Sequence, residues 1–194
     1  MASSTISSAG GPVFFWREFE SPYGFLSQWY PSAFTAPSST GTLPMTFVTA
    51  EQYMMYHKAI LFDNQDVADK IALEPEPSKQ RALGREVKGF DGKKWNAKRE
   101  KVVEEGNWWK FTQSKEGDPR KMLLETGDRL LVEASPYDKI WGVGYSAANA
   151  AANEGNWGEN LLGKALMRVR DRLRSGEDNT TDEISTNEKL LLAL

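Results

Sequence analysis

Apolar positions fall into short extended runs near the start of the chain and into helical spacings after residue 49. Residues 13–19 (Val-Phe-Phe-Trp-Arg-Glu-Phe) read as a strand, ended by the turn signals Ser21, Pro22, Tyr23 and Gly24. Residues 25–29 follow, 31–41 are loop by composition, and 43–48 form a second short strand. That strand leads into a helix opened by Thr49 and Gln52, whose spacing is that of a capping box. Helical periodicity returns over 65–73, is broken by Pro75 and Pro77, and resumes over 79–87. Phe90 to Lys93 make a turn, and 94–109 predict one longer helix carrying Trp95, Val102 and Val103. Asp118 and Pro119 open a short helix through Leu124, and 129–133 are a strand. After 135–144 and an Ala/Asn-rich insert, the segment 155–163 runs into a helix ending near Arg174. The sum is an α+β architecture, a mainly helical single domain with a small β-sheet over residues 12–175. A Ser/Gly/Ala-rich leader (1–11) and a polar, acidic tail (176–194) are expected to be disordered. The Leu-rich end, 189–194, is apolar enough to dock or pair with another molecule.

Composition narrows the chemistry. The 194 residues suffice for one sizeable core. With no cysteine there is no disulfide framework, thiolate metal site or thiol nucleophile, and His57, the single histidine, argues against a Ser-His-Asp triad. No transition-metal site and no cofactor are implied, although magnesium carried on a ligand's phosphates remains compatible. A net charge of −3 provides no global attraction to nucleic acid or membrane. Neither a signal peptide nor a membrane-length apolar run is apparent, which predicts an intracellular protein, cytoplasmic or nuclear, with no membrane partner. The basic run Lys93, Lys94, Lys98, Arg99 and Lys101 is most simply a solvated helix face, with phosphate binding as the sharper reading.

The chemistry concentrates on the Thr49 helix. Glu51 sits in its first turn, where the helix dipole favours an ionised carboxylate. Lys58 follows two turns later on the same face, with Met55 between them, while Tyr53, Met54, Tyr56 and Ile60 supply core contacts. Such a Glu–Lys stripe is ordinarily solvent-exposed, but the apolar company here would make both groups costly to bury without a role.

A second cluster surrounds Gly142, Gly144, Gly155 and Gly158. These glycines permit close backbone approach, the helix beginning near Asn160 offers N–H groups to an anion, and Trp141 and Trp157 flank the loop as stacking surfaces. The simpler reading is that the glycines serve turns and the tryptophans fill core. Gly158 to Ala165 has the glycine spacing and lysine of a phosphate-binding loop. Ala165 lacks the metal-binding hydroxyl and the segment is apolar helix, which excludes a nucleotide triphosphatase.

Four ordered blocks together resemble the NADAR (YbiA-like, NAD- and ADP-ribose-associated) family, from about residue 14 to 173. They are Phe14-Phe15-Trp16 with Gly24 to Ser27; Thr49 to Tyr53 with Lys58; Leu83-Gly84-Arg85 with Trp95; and Asp138 to Gly144 with Asn160 to Arg170. The resemblance implies a YbiA-like fold and hydrolysis of N-glycosidic bonds, either on phosphorylated riboflavin-pathway intermediates or on guanine carrying ADP-ribose. It places active-site positions on Glu51, Trp95 and Asp138 and matches Lys58 to a lysine of the same block. The expected partner is an ADP-ribose-containing ligand, free or on DNA or RNA. Gln28-Trp29 departs from a common Asn-aromatic pair, and the loops at 31–41 and 147–152 are extended.

Cleaving a ribose C1′–N bond builds positive charge on the anomeric carbon. Glu51 suits stabilisation of that charge and Asp138 suits orienting ribose hydroxyls or water, the division between them being open. Lys58 either attacks the anomeric carbon to form a Schiff base or pairs with a phosphate or Glu51. Arg85, Arg17 and the helix start at Asn160 are the diphosphate candidates, and Trp95, Trp141, Gly142 and Gly144 complete the expected binding surface. The competing class is a module that binds ADP-ribose or NAD without turnover.

Overall fold

Thr49 opens the first helix as its spacing predicts. Its Oγ1 accepts the Gln52 N–H at 3.0 Å, and Gln52 Oε1 accepts the Val48 N–H at 2.7 Å, one residue earlier than in an ordinary capping box. This is a computed structural model that describes residues 10–37, 43–114 and 117–176. Most of the expected leader and tail, and the Leu-rich end, lie outside the described residues.

The order is β1 (Val13–Phe15), β2 (Phe34–Ala36), β3 (Met45–Phe47), α1 (Ala50–Leu61), α2 (Gln65–Leu73), α3 (Pro77–Leu83), α4 (Gly92–Asn96), α5 (Arg99–Gln113), α6 (Pro119–Glu125), β4 (Leu131–Glu133), α7 (Ala147–Ala150) and α8 (Leu161–Ser175). The fold is α+β and mainly helical. The small sheet resolves into two strand pairs: β1 with β4, parallel, and β2 with β3, antiparallel.

Helix α1 lies at the centre, against α2, α3 and α5, and α8 covers α5 and β4. Phe34, Phe47 and Tyr53 meet across β2, β3 and α1 with ring centroids 5.1–6.2 Å apart. His57 belongs to this core, 4.1 Å from the Tyr53 ring, and burial pushes its pKa down to about 4. A smaller core of Val132, Val143 and Ala150 takes Phe14 and Trp157, and the Trp157 indole N–H donates to the Ala150 carbonyl.

Several expectations are corrected. β2 lies in the segment read as loop, because three residues between Pro and Ser clusters leave too short a pattern; pairing with β3 supplies the order. The first strand ends at Phe15 rather than at 19. Pro77 opens α3 as its first residue, where a missing N–H costs nothing, so the helix begins at the proline. The helix expected over 94–109 is two. Asp91 caps α4 by accepting the Lys93 and Lys94 N–H groups, and α5 starts anew at Arg99, so Trp95 rides on a short separate helix.

Gly163 fixes the contact between α8 and β4. A Cβ there would stand 2.1 Å from the Leu131 carbonyl oxygen and 2.6 Å from the Asn160 side chain. Gly163→Ala is therefore expected to destabilise the fold by about 2 kcal/mol or more, because backbone must move. Urea denaturation of the variant beside wild type measures this; an unchanged midpoint would show that the contact relaxes freely.

Candidate functional site

The two parallel strands leave their pair side by side, and the chain beyond each of them lines a cleft of about 300 Å³. From the β1 side come Trp16, Arg17 and Glu18, and from the β4 side Glu133, Ser135, Tyr137, Asp138 and Trp141. The 27–29 segment adds Ser27, Gln28 and Trp29, α1 adds Glu51, Met54 and Met55, and α3 adds Arg81.

Local structure explains each placement. Thr49 donates to Gln80 Oε1 at 2.7 Å, Gln80 Nε2 donates to the Glu74 carbonyl, and Gln52 Nε2 donates to the Ile71 and Glu74 carbonyls. Glu51 lies between Thr49 and Gln52, and Arg81 follows Gln80, so this buried network sets the carboxylate and the guanidinium close together. The Gln28 carbonyl accepts the Glu51 N–H at 3.0 Å. Below the 27–29 segment, the fully buried Lys110 donates to the Ser27 carbonyl at 2.8 Å, and burial pushes its pKa down to about 7. Asp138 Oδ1 accepts the Ile140 and Trp141 N–H groups, both at 2.8 Å, which orients its carboxylate within the turn.

The electrostatics differ from the sequence expectation for Glu51. Burial raises its pKa to about 7, outweighing the Arg81 charge, a hydrogen bond from the Trp29 side chain and the Lys58 charge, with Asp138 adding to the rise. The helix start alone does not hold it ionised. Glu133, at the end of β4, is pushed further, to about 8, by burial and then by Asp138 and Glu51. Among the described residues its buried Oε2 has no hydrogen-bond partner. Among the described residues no group of three or more His, Asp or Glu is arranged to hold a metal ion.

Of the residues singled out by sequence, Glu51, Asp138, Arg17 and Trp141 share this cleft. Lys58 and Trp95 are absent from its lining. Lys58 Nζ donates to the Gly84 carbonyl at 2.7 Å and stands 4.6 Å from the Phe90 ring and 6.0 Å from that of Trp95. Its pKa is lowered, mainly by burial, against the opposing pull of Glu51. Arg85 lies beyond the end of α3 and is exposed; Arg81, one turn earlier, faces the cleft.

The reading of an anion site at the α8 start is corrected. The Leu161 and Leu162 N–H groups are taken by the Ile140 and Trp141 carbonyls, and the Asn160 side chain staples β4 through Leu131 O and Glu133 N. Gly142 and Gly158 likewise admit backbone of the protein itself, since a Cβ would meet Glu133 O at 2.7 Å and Lys139 O at 2.3 Å. Gly144, at φ +78°, packs against the Lys139 side chain.

Glu133, Arg81, Gln28, Trp16, Trp29, Ser135 and Tyr137 were not assigned from sequence. The available signals were position alone: Trp16 lies in the first family block, Gln28-Trp29 stand where an Asn-aromatic pair is common, and Glu133 and Ser135 stand just before the Asp138 block.

The α+β fold thus sets a carboxylate-rich cleft at the ends of two parallel strands. The chain belongs to the NADAR domain family, which matches residues 14–174. It is 44% identical over 148 residues to N-glycosidase R617 of Acanthamoeba polyphaga mimivirus, covering 75% of this chain and 85% of that one. Over 163 residues it is 31% identical to N-glycosidase Npun_R5314 of Nostoc punctiforme, covering 84% and 93%. A maize protein named riboflavin biosynthesis protein PYRR, chloroplastic, is 32% identical over 158 residues, 78% of this chain but 23% of that longer protein. The NMR structure of Escherichia coli YbiA superimposes with a TM-score of 0.67 at 23% identity, over 86% of this chain and 87% of YbiA, which shows the shared fold.

The raised Glu133 pKa has a stability consequence. Between the ordinary carboxyl value of 4.5 and about 8, the folded state holds a proton that the unfolded chain has released, so this group's contribution to stability falls as pH rises through that window. Glu133→Gln removes the ionisation. The variant is expected to match wild type at pH 4 and to exceed it by a few kcal/mol, on the order of 1.4 per pKa unit, at pH 9. Denaturation midpoints at the two pH values decide it; a variant no more stable at pH 9 would refute the burial argument.

Proposed function

We propose that the chain hydrolyses the C1′–N bond of a ribosylated base, and that its substrate is guanine carrying ADP-ribose, in nucleic acid or as a nucleotide. The observation that carries this is the meeting of Glu51, Glu133 and Asp138 with Arg81 in one partly enclosed cleft, with two of the carboxyls titrating near neutrality. The names of the mimivirus and Nostoc relatives support the bond type. Arg17 and Arg81 suit the oxygens of a diphosphate, and Trp16, Trp29, Tyr137 and Trp141 offer flat surfaces for a base.

In this reading the C1′–N bond breaks with its electron pair left on nitrogen, and Glu133, kept protonated by burial, gives its proton to the departing base. The cation at C1′ is faced by the Glu51 carboxylate, which Arg81 and Trp29 help to ionise. Water adds to C1′ and surrenders a proton to the carboxylate pair, leaving a free sugar hydroxyl and the base. Asp138, held by the turn, orients the sugar or that water.

Incubation with ADP-ribosylated guanosine and ADP-ribosylated DNA is expected to release free ADP-ribose. Glu51→Gln should reduce kcat by about 10²–10⁴-fold. Turnover of a phosphorylated ribosylaminopyrimidine alone would transfer the site to riboflavin-type substrates. Binding of ADP-ribose with no turnover of any of these would make the protein a reader.

Lys58 supports a second route, because burial lowers its pKa and an uncharged amine can attack C1′. Nζ would first have to leave the Gly84 carbonyl and enter the cleft. Borohydride added during turnover tests this: covalent trapping on wild type and not on Lys58→Ala supports the Schiff base, and no trapping on wild type removes it.

A further inference from the structure

Gln28 lines the cleft, and the orientation of its side-chain amide is set from outside the cleft. The Val103 carbonyl on α5 can only accept, so the Asn107 group 2.8 Å away must be the amide nitrogen, Nδ2. The second hydrogen of that nitrogen points to Gln28 Oε1 at 2.9 Å. Gln28 Nε2 is thereby turned away from Asn107, and it has no hydrogen-bond partner among the described residues although the atom is buried. Asn107 is wholly buried and Gln28 is 9% exposed, so neither amide reorients freely. A buried unpaired amide donor is costly, and a ligand oxygen would remove that cost.

The place of Gln28 identifies the oxygen. Its backbone carbonyl holds the Glu51 N–H, and both residues line the cleft, where the Glu51 carboxylate is proposed to face C1′. The hydroxyl on the carbon bonded to C1′ is the 2′-hydroxyl. Resting on the N-glycosidase reading, we infer that Gln28, positioned by Asn107, donates through Nε2 to the 2′-hydroxyl oxygen of the bound sugar and makes the cleft select ribosyl over 2-deoxyribosyl ligands. Gln28 would be a specificity-determining residue and Asn107 a positioning one.

The test uses ribose 5-phosphate and 2-deoxyribose 5-phosphate as probes, titrated into the ¹⁵N-labelled full chain and followed by NMR, with no turnover required. Wild type should bind ribose 5-phosphate about five-fold tighter, the scale of one neutral hydrogen bond, and the Gln28 side-chain NH₂ signals should move with ribose 5-phosphate only. Gln28→Glu keeps an oxygen toward Asn107 and replaces the donor by an oxygen; Gln28→Met removes both polar groups. Loss of the preference in either folded variant, with 2-deoxyribose 5-phosphate still bound, supports the inference. Equal binding of the two sugars by wild type, or a preference kept by both variants, overturns it while leaving the N-glycosidase reading intact. Binding of neither sugar phosphate would instead overturn that reading, and this inference with it.

Discussion

The buried network of Thr49, Gln52 and Gln80 is the constraint on which the site depends. Three side chains tie the start of α1 to the end of α2, to the 74–76 linker and to α3. Each amide does two jobs, and all three residues are almost wholly buried, so the groups have no water to turn to if the helices separate. The residues beside them in sequence, Glu51 and Arg81, are the ones that meet in the cleft. A polar network in the core thus converts helix packing into the spacing of an acid and a guanidinium.

Burial, rather than the sign of nearby charges, dominates the electrostatics. Arg81 and Lys58 both favour ionised Glu51, yet its pKa rises. Glu133 has less help and rises further. Two carboxyls so placed work against stability at alkaline pH, in a fold whose α1, α5 and α8 share one continuous apolar core. Glu51 also adds to the rise at Glu133.

Much of the fold was legible locally. The Thr49 cap, the 65–73 helix, the Asp118-Pro119 start and the apolar 43–48 and 129–133 runs all carry short-range signals, and all became elements close to the expected bounds. The errors share a cause. Pro77 reads as a breaker until its position at the first turn is known, and the Asp91 cap is invisible if the residues after it are taken as one helix. β2 exists only because β3 lies beside it.

For the site, sequence alone established the residue types and one fixed relation, the carboxylate of Glu51 at the first turn of a capped helix, because capping and helical periodicity are local. Tertiary structure decided which groups face one another. It chose Arg81 over Arg85, added Glu133 and Gln28, used the Asn160 helix start for packing, and set Lys58 against Gly84 outside the cleft. Those outcomes follow from how strands end and helices cross, which no spacing along the chain records, and from desolvation, which belongs to a position in the fold and not to a residue in a sequence.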